Sequence, residues 1–388
     1  MGSSIASKET YEKKLLDRFS DKLVDSIANL IDKIRPGWSE RNKSKIDEWK
    51  LMFYAFNRSP PGIIGAVLII SFILIGLFGP YMAPYSYREF LYIEYRDTYL
   101  VPPGTTITVT NKQGEIVKVF NFPLGTDKYG RDLLSLILYG ARVSLIVSLI
   151  VILLGVPIGI LLGLVAGYFG GKVDEVIMRI TDIFLAFPAL ILAIAFASVL
   201  PERIRPIIIQ SGILKQVFSV FFAADVRDAA NFAPILSVIL AIILVWWPPY
   251  TRIIRGSVLS AKENLYVEAA KALGVSTWKI LFKHILPNII SPVLVLITLD
   301  IGSVILMEAS LSFLGLGAQD PMVDWGKIVY DGAQYFPDRW WLVIFPGLAT
   351  FLAVLGWNLI GDTLRDVLDP RTRRSIEFKV KRGKAEEK

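Results

Sequence analysis

The chain has few residues that could do covalent chemistry. In 388 residues there is one histidine, His284, and no cysteine. Neither a multi-histidine nor a thiolate metal site can be assembled from that set. The ordinary role of a lone histidine is a hydrogen bond within its helix hairpin. A phosphate loop of the form Gly-x-x-x-x-Gly-Lys-[Ser/Thr] is missing: the nearest stretch, 167–172, lacks both the spacing of the first glycine and a following hydroxyl. No nucleophile–base pair is visible. On this reading the chain is not an enzyme, needs no cofactor or metal and cannot hydrolyse ATP alone. What remains is charge placed at particular points in a very apolar chain: a polar segment at 268–288, an acid (Asp300) inside an apolar run, and clustered acids and arginines at the ends of other runs.

Those points are positioned by membrane-spanning helices. Hydrophobic residues make up 53% of the chain, and the mean hydropathy is +0.51. Charge-free stretches at 59–87, 143–171, 183–201, 229–251 and 340–361 are each long enough to cross about 30 Å of hydrocarbon as helix. A sixth, 289–307, is interrupted only by Asp300 and ends at Glu308. Six helices with both termini on one side is the simplest topology. Residues 251–288 carry six Lys/Arg against two acids, and 317–339 two against four, so the first faces the cytoplasm and the second the outside. Both termini then lie inside, which suits the basic tail beyond residue 370. The net charge of +7 and pI of 9.3 fit an inner-leaflet surface, because the basic residues flank spans instead of forming a nucleic-acid patch.

Between two of these spans, Glu268-Ala269-Ala270 opens a helix-favouring string, Gly274 can end it in a left-handed cap, and Ser276 or Thr277 can start a second helix that Pro287 would limit. Two short helices at a fixed angle make a rigid plug. The segment resembles the EAA signature of binding-protein-dependent ABC importer permeases in Glu268, Ala269, Ala270, Gly274, Leu286 and Pro287. It departs at His284, where the general signature has Ile, but a His-x-Leu-Pro ending is similar to the dipeptide/oligopeptide subgroup. The resemblance implies that these seven residues dock an ATPase.

Further motifs extend the resemblance from about residue 61 to 371. Leu124-Gly125-Thr126-Asp127-Lys128-Tyr129-Gly130-Arg131-Asp132 is similar to a peptide-importer segment. Gly125 and Gly130 permit tight turns, and Asp127, Arg131 and Asp132 can pair at a membrane surface, as a structural clamp or as a ligand contact. Asp174, Met178 and Asp182 share a helical face with Arg179 offset, before Phe187-Pro188. Glu308-Ala309-Ser310-Leu311-Ser312-Phe313-Leu314-Gly315 and the ending Gly361-Asp362-Thr363-Leu364-Arg365-Asp366 also resemble the subgroup. Residues 92–119 and 202–227 look individual and are expected to be external.

The resemblance implies an all-α polytopic protein with the six-helix type I ABC importer permease fold. The expected layout is a cytoplasmic amphipathic region with an elbow helix (1–58), a permease domain (59–361) with an external loop at 88–142 and a coupling helix-turn-helix at 251–288, and a basic tail (362–388). It implies a multi-pass protein of the cytoplasmic membrane that moves di- or oligopeptides by alternating access. The implied partners are a homologous second permease, two cytoplasmic ATPases, an extracytoplasmic solute-binding protein and the lipid bilayer. Short oligosaccharides or nickel chelates are the alternative cargo, and a stand-alone secondary carrier is the alternative class. Asp300, near mid-bilayer, is a candidate for the translocation path, with a neutral interhelical hydrogen bond as the other reading. At the start, 1–14 is charged and lacks the apolar core of a signal peptide. Leu16, Phe19, Leu23, Ile27, Leu30, Ile31 and Ile34 recur at helical spacing, predicting an amphipathic helix against the membrane or a partner.

Overall fold

The computed structural model describes residues 15–86, 98–110 and 116–368. The charged start, the basic tail, and parts of the expected external loop lie outside the described residues. Two compact units emerge, one of 1–67 with 358–388 and the other of 68–357. Among the described residues five helices are long and apolar enough to cross a membrane: α4 (Pro60–Met82), α5 (Leu133–Phe169), α9 (Phe232–Ala261), α11 (Thr277–Phe313) and α13 (Trp341–Leu368). A pair bent by 88°, α6 (Gly171–Leu185) and α7 (Ala189–Gln210), is long and apolar enough only when taken together, and counted as one broken span it makes six.

In the first unit, α1 (Leu15–Ile34) and α2 (Trp38–Arg41) lead to α3 (Lys43–Phe56). Val24, Ala28 and Ile46 form a small core with Trp38 and Trp49 against it. Asp17, buried, accepts from both Asn57 and Arg58, the Arg58 contacts being 3.2 Å. The predicted amphipathic helix is present, but the side it packs on α3 is the small and polar one: Asp17, Ser20, Val24 and Ala28. Leu16, Phe19, Leu23, Ile27, Leu30 and Ile34 are exposed. At the first turn of α4, a side chain on Gly62 would strike Thr363 Cγ2 at 2.7 Å, so the start of α4 lies tight against the end of α13.

In the second unit, α9 is the most enclosed candidate span. Its closest neighbour is α5, where Gly159, Gly163 and Gly167 recur every fourth residue. A Cβ on each would meet α9 at Trp247 O (2.5 Å), Ile254 Cβ (2.7 Å) and Val258 Cβ (2.8 Å). Small residues at this spacing let helix backbones approach without lipid between them.

Three boundaries differ from the sequence expectation. The apolar run 183–201 is not one straight span, because Pro188 has no N–H and biases Phe187 away from helical angles; the helix restarts at Ala189. The external loop expected at 88–142 ends ten residues earlier, since Asp132 caps α5 at Leu133. That loop also holds a hairpin, β1 (Thr105–Thr110) and β2 (Ile116–Phe122), paired with Thr105 opposite Phe122 and Ile107 opposite Phe120. Tyr85 packs on Phe120 and Phe122, and its hydroxyl accepts from Asn121 N at 2.8 Å. The stretch 202–227 is largely helical, continuing α7 and adding α8 (Gly212–Phe222), which Arg142 holds by donating to Phe221 O at 2.6 Å.

Candidate functional site

Between α9 and α11 lies α10 (Leu265–Ala272). Its end is a Schellman cap: Val275 N donates to Ala270 O and Gly274 N to Lys271 O, both at 3.0 Å, with Gly274 at φ 72°. This is the turn expected at Gly274. The second helix starts at Ser276 as anticipated, though the serine side chain makes no capping bond. It does not stop at Pro287. A π turn, Ile280–Ile285, immediately precedes the proline and the helix runs on as α11. A proline cannot donate to the carbonyl one turn back, and the wider turn rearranges the hydrogen bonding where that donor is lost. The plug is therefore one short helix folded onto the base of a long one.

Val267, Ala270, Ile280, Leu281 and Ile285 are buried and make the plug rigid. Lys262 Nζ donates to Gly167 O at 3.1 Å, and Lys271 stands 5.4 Å over the Tyr168 ring, tying the plug to the end of α5. Glu268 lies exposed in the first turn of α10, where an acid suits the helix dipole. Ala269 and Pro287 are exposed, Leu286 and His284 half-buried. The hydrogen bond described at His284 is to its carbonyl, from Asn288 Nδ2 at 2.6 Å. Outward, the plug shows Leu265 (82% exposed), Leu273 (83%), Trp278 (56%) and Phe282 (44%), the two rings stacked at 6.0 Å. Four large apolar side chains on one polar loop mark an interaction surface.

Beside the plug, α6 sends two acids to α9. Asp174 takes a two-pronged contact from Arg255, Nε at 2.5 Å and Nη2 at 2.6 Å, and Asp182 takes Arg252 Nη2 at 2.6 Å. A planar guanidinium against a carboxylate fixes angle as well as distance. Arg179 faces elsewhere, at 3.8 Å from Glu175 with both exposed.

At the opposite end of these helices most of the charges are buried, Asp127, Arg131, Lys327 and Asp331 among them, while Lys128 is half-buried and Asp320 exposed. Asp127 accepts from Tyr129 N (2.8 Å), Arg131 N (2.9 Å) and Arg131 Nε (2.6 Å). Arg131 Nη1 reaches Asp320 at 2.7 Å, Lys327 lies 3.4 Å from Asp320 and 2.5 Å from Asp331, and Lys128 lies 2.9 Å from Asp331. Three cations and three acids alternate, so no charge is left over. Burial pulls the Arg131 and Lys128 cations down, but their carboxylate partners outweigh it and both stay charged more firmly than usual. Asp320 is pushed up by burial yet held below the usual range by Arg131 and Lys327.

Asp132 is not part of this chain of ion pairs, contrary to the expected grouping. Its Oδ2 caps α5 through Ser135 N (2.8 Å) and Oγ (2.7 Å), and burial raises its carboxyl. Thr126 locks the preceding turn, donating to Thr98 O at 2.5 Å and accepting from Val101 N at 3.0 Å. Gly125 and Gly130 have φ of 82° and 78°. A Cβ on Gly125 would meet Val101 O at 2.6 Å, and one on Gly130 would overlap Thr98 Oγ1. Glu308, fully buried, accepts from Ser144 Oγ at 3.1 Å. Nearby Asp324 caps α12 (Trp325–Ala333) through Lys327 N at 2.7 Å and takes Ser312 Oγ at 2.6 Å; burial raises its carboxyl.

Asp300 stands apart from both ends. Tyr250 Oη donates to its Oδ2 at 2.7 Å and Trp246 Nε1 at 3.1 Å. Asp362, Arg365 and Asp366 are exposed on the last turns of α13. Sequence reasoning missed Asp320, Lys327 and Asp331 as partners of the Arg131 motif, Arg252 and Arg255 as partners of the α6 acids, and Trp246 and Tyr250 as partners of Asp300. Only the Lys327/Asp331 spacing of one helical turn carried a local signal.

The model of the binding-protein-dependent transport system inner membrane component matches residues 159–374, more than half of the chain and the whole of the plug. The chain belongs to this family. A second model, the N-terminal TM domain of oligopeptide transport permease C, matches residues 48–103 of the permease. The dipeptide transport system permease protein DppC of Alkalihalophilus pseudofirmus is 36% identical over 332 residues, 86% of this permease and 93% of that protein. DppC of Escherichia coli K12 is 36% identical over 319 residues, 82% of this chain and 92% of its own. The glutathione transport system permease protein GsiD of Pectobacterium atrosepticum is 34% identical over 331 residues, 85% and 94% respectively.

Proposed function

We propose that this permease is one transmembrane half of an ATP-driven ABC importer that moves di- or oligopeptides across the cytoplasmic membrane. A homologous permease completes the path, a solute-binding protein delivers cargo from outside, and two cytoplasmic ATPases hydrolyse ATP. The observation that carries the reading is the plug: a buried hub with Leu265, Leu273, Trp278 and Phe282 exposed around the Gly274 turn. The relatives named for dipeptide and glutathione transport support the cargo class, and the lysine and arginine excess at 251–288 supports a cytoplasmic plug with both termini on that side.

Closure of the ATPase pair moves the plug. Because α11 is continuous from Thr277 to Phe313, displacement at its base tilts the span itself, and Lys262 and Lys271 pass the same motion to α5. The cavity between the two permeases then opens outward. Gly274→Trp tests this. No atom lies within 4 Å of a Cβ at Gly274, so a side chain can start there without a clash, while a residue other than glycine strains the left-handed turn and an indole adds bulk at the docking face. In the reconstituted complex this variant and Glu268→Lys should insert normally and lose dipeptide-stimulated ATP hydrolysis. Unchanged stimulation in both would remove the plug from the mechanism.

A further inference from the structure

The plug and its flanking ion pairs account for the ends of α9 and α11 but not for a carboxylate between them. Asp300 lies eight residues, about 12 Å of helix rise, from Glu308, whose partner Ser144 stands at the start of the charge-free part of α5. In the other direction it is eleven residues, about 16 Å, from residue 289, where the apolar run of α11 begins. It therefore sits near the middle of the bilayer. Tyr250 is buried and Asp300 half-buried. Both donors, Tyr250 Oη and Trp246 Nε1, converge on Oδ2. Among the described residues no hydrogen bond is made to Oδ1 and no cation pairs with the carboxylate.

A carboxylate facing lipid at this depth is costly, and such groups face a watery cavity or a partner. With one oxygen oriented by two neutral donors and the other without a hydrogen-bond partner among the described residues, the half-buried carboxylate suits an ammonium ion, which it attracts by charge. We propose that Asp300, Trp246 and Tyr250 form a transit site for the ammonium group of the peptide cargo. This rests on the peptide-importer reading above. The site also bridges the two helices that flank the plug, α9 ending at Ala261 and α11 beginning at Thr277, and among the described residues these two bonds are the hydrogen bonds that join them. Cargo that engages Asp300 thus acts on the same helix pair that the plug moves.

The absence of cysteine permits a direct test. Ser303 is exposed one turn from Asp300. The Ser303→Cys permease, in the full complex in proteoliposomes, is treated with methanethiosulfonates carrying either trimethylammonium or sulfonate, with rates normalised to a free thiol. The cationic reagent should react about tenfold faster, the effect of one nearby negative charge at modest screening. Asp300→Asn in the same background should bring the ratio close to one, and dialanine delivered by the binding protein should slow the reaction. Three results overturn the proposal: no reaction in any nucleotide state, which would place Asp300 against lipid or the second permease; a ratio unchanged by Asp300→Asn; or no protection by dialanine that does stimulate ATP hydrolysis. If dialanine fails to stimulate the unmodified complex, the failure belongs to the peptide reading, and the charge ratio alone decides whether a cation site exists.

Discussion

The two ends of the long helices are built in opposite ways. At the plug, large apolar side chains are exposed, Gly274 has empty space around it, and the polar contacts lead to neighbouring helices rather than to one another. At the other end, buried Asp127 and Arg131 are paired with each other and, through Arg131, with the exposed Asp320, and the glycines have no room for a Cβ. The first surface is unfinished within the chain and the second is complete. On the proposed mechanism, a segment that receives force from a partner needs exposed apolar area and a stiff base, whereas the opposite end has to hold helix ends and loops at a fixed separation while the rest tilts. The two also fail differently. Substitutions at the plug should disturb coupling and spare the fold, and substitutions at the clamp should do the reverse.

The largest effect on stability is expected from Arg131→Ala. It leaves buried Asp127 and its neighbour Asp320 without their shared cation, and breaking a buried pair from one side costs about 3–5 kcal/mol; thermal unfolding of the detergent-purified permease should fall sharply or the protein should fail to accumulate. A mild loss would mean that the clamp is less closed than its distances imply. Next is Gly163→Leu, which drives a side chain into Ile254 and Thr251 of α9; overpacking of this kind costs about 1–3 kcal/mol, readable in the same assay.

A smaller effect is expected from pH. Asp320 has its carboxyl held low, so its contribution is complete above the ordinary carboxylate range and is lost as pH falls through the depressed value. Asp132 and Asp324, raised by burial, act in the opposite sense and cancel when two chains that both contain them are compared. Wild type should therefore lose thermal stability more steeply than Asp320→Asn between about pH 5 and pH 2. Parallel curves would detach Asp320 from the network.

Much of this contrast was legible in the residues. The Gly274 turn, the Asp127/Arg131 pairing and the spans follow from local spacing, because caps, turns and apolar runs are set by neighbours in the chain. The bend at Pro188 was written as Phe187-Pro188 but masked by apolarity that continues across it. Asp320 as the second partner of Arg131, and the partners of the α6 acids and of Asp300, come from segments 50 to 189 residues away, a distance at which periodicity says nothing. The amphipathy of α1 was plain, yet not that Val24 and Ala28 would be its packed side: pattern shows that a helix has two faces, and tertiary contacts decide which is used. The four-residue spacing of Gly159, Gly163 and Gly167 was visible and went unused, since glycines in a span have meaning only once the helix they admit is known.

The central claim is that the apolar face of the plug receives the ATPases, and the double substitution Leu265→Asp/Leu273→Asp tests it most directly. Both side chains are more than four-fifths exposed, so their replacement should leave the thermal stability of the isolated permease within about 0.5 kcal/mol of wild type. Co-purification of the ATPase subunits with the tagged permease should be lost while the second permease is retained. Retention of the ATPases at wild-type stoichiometry, with the two substitutions in place and the fold intact, would contradict the account.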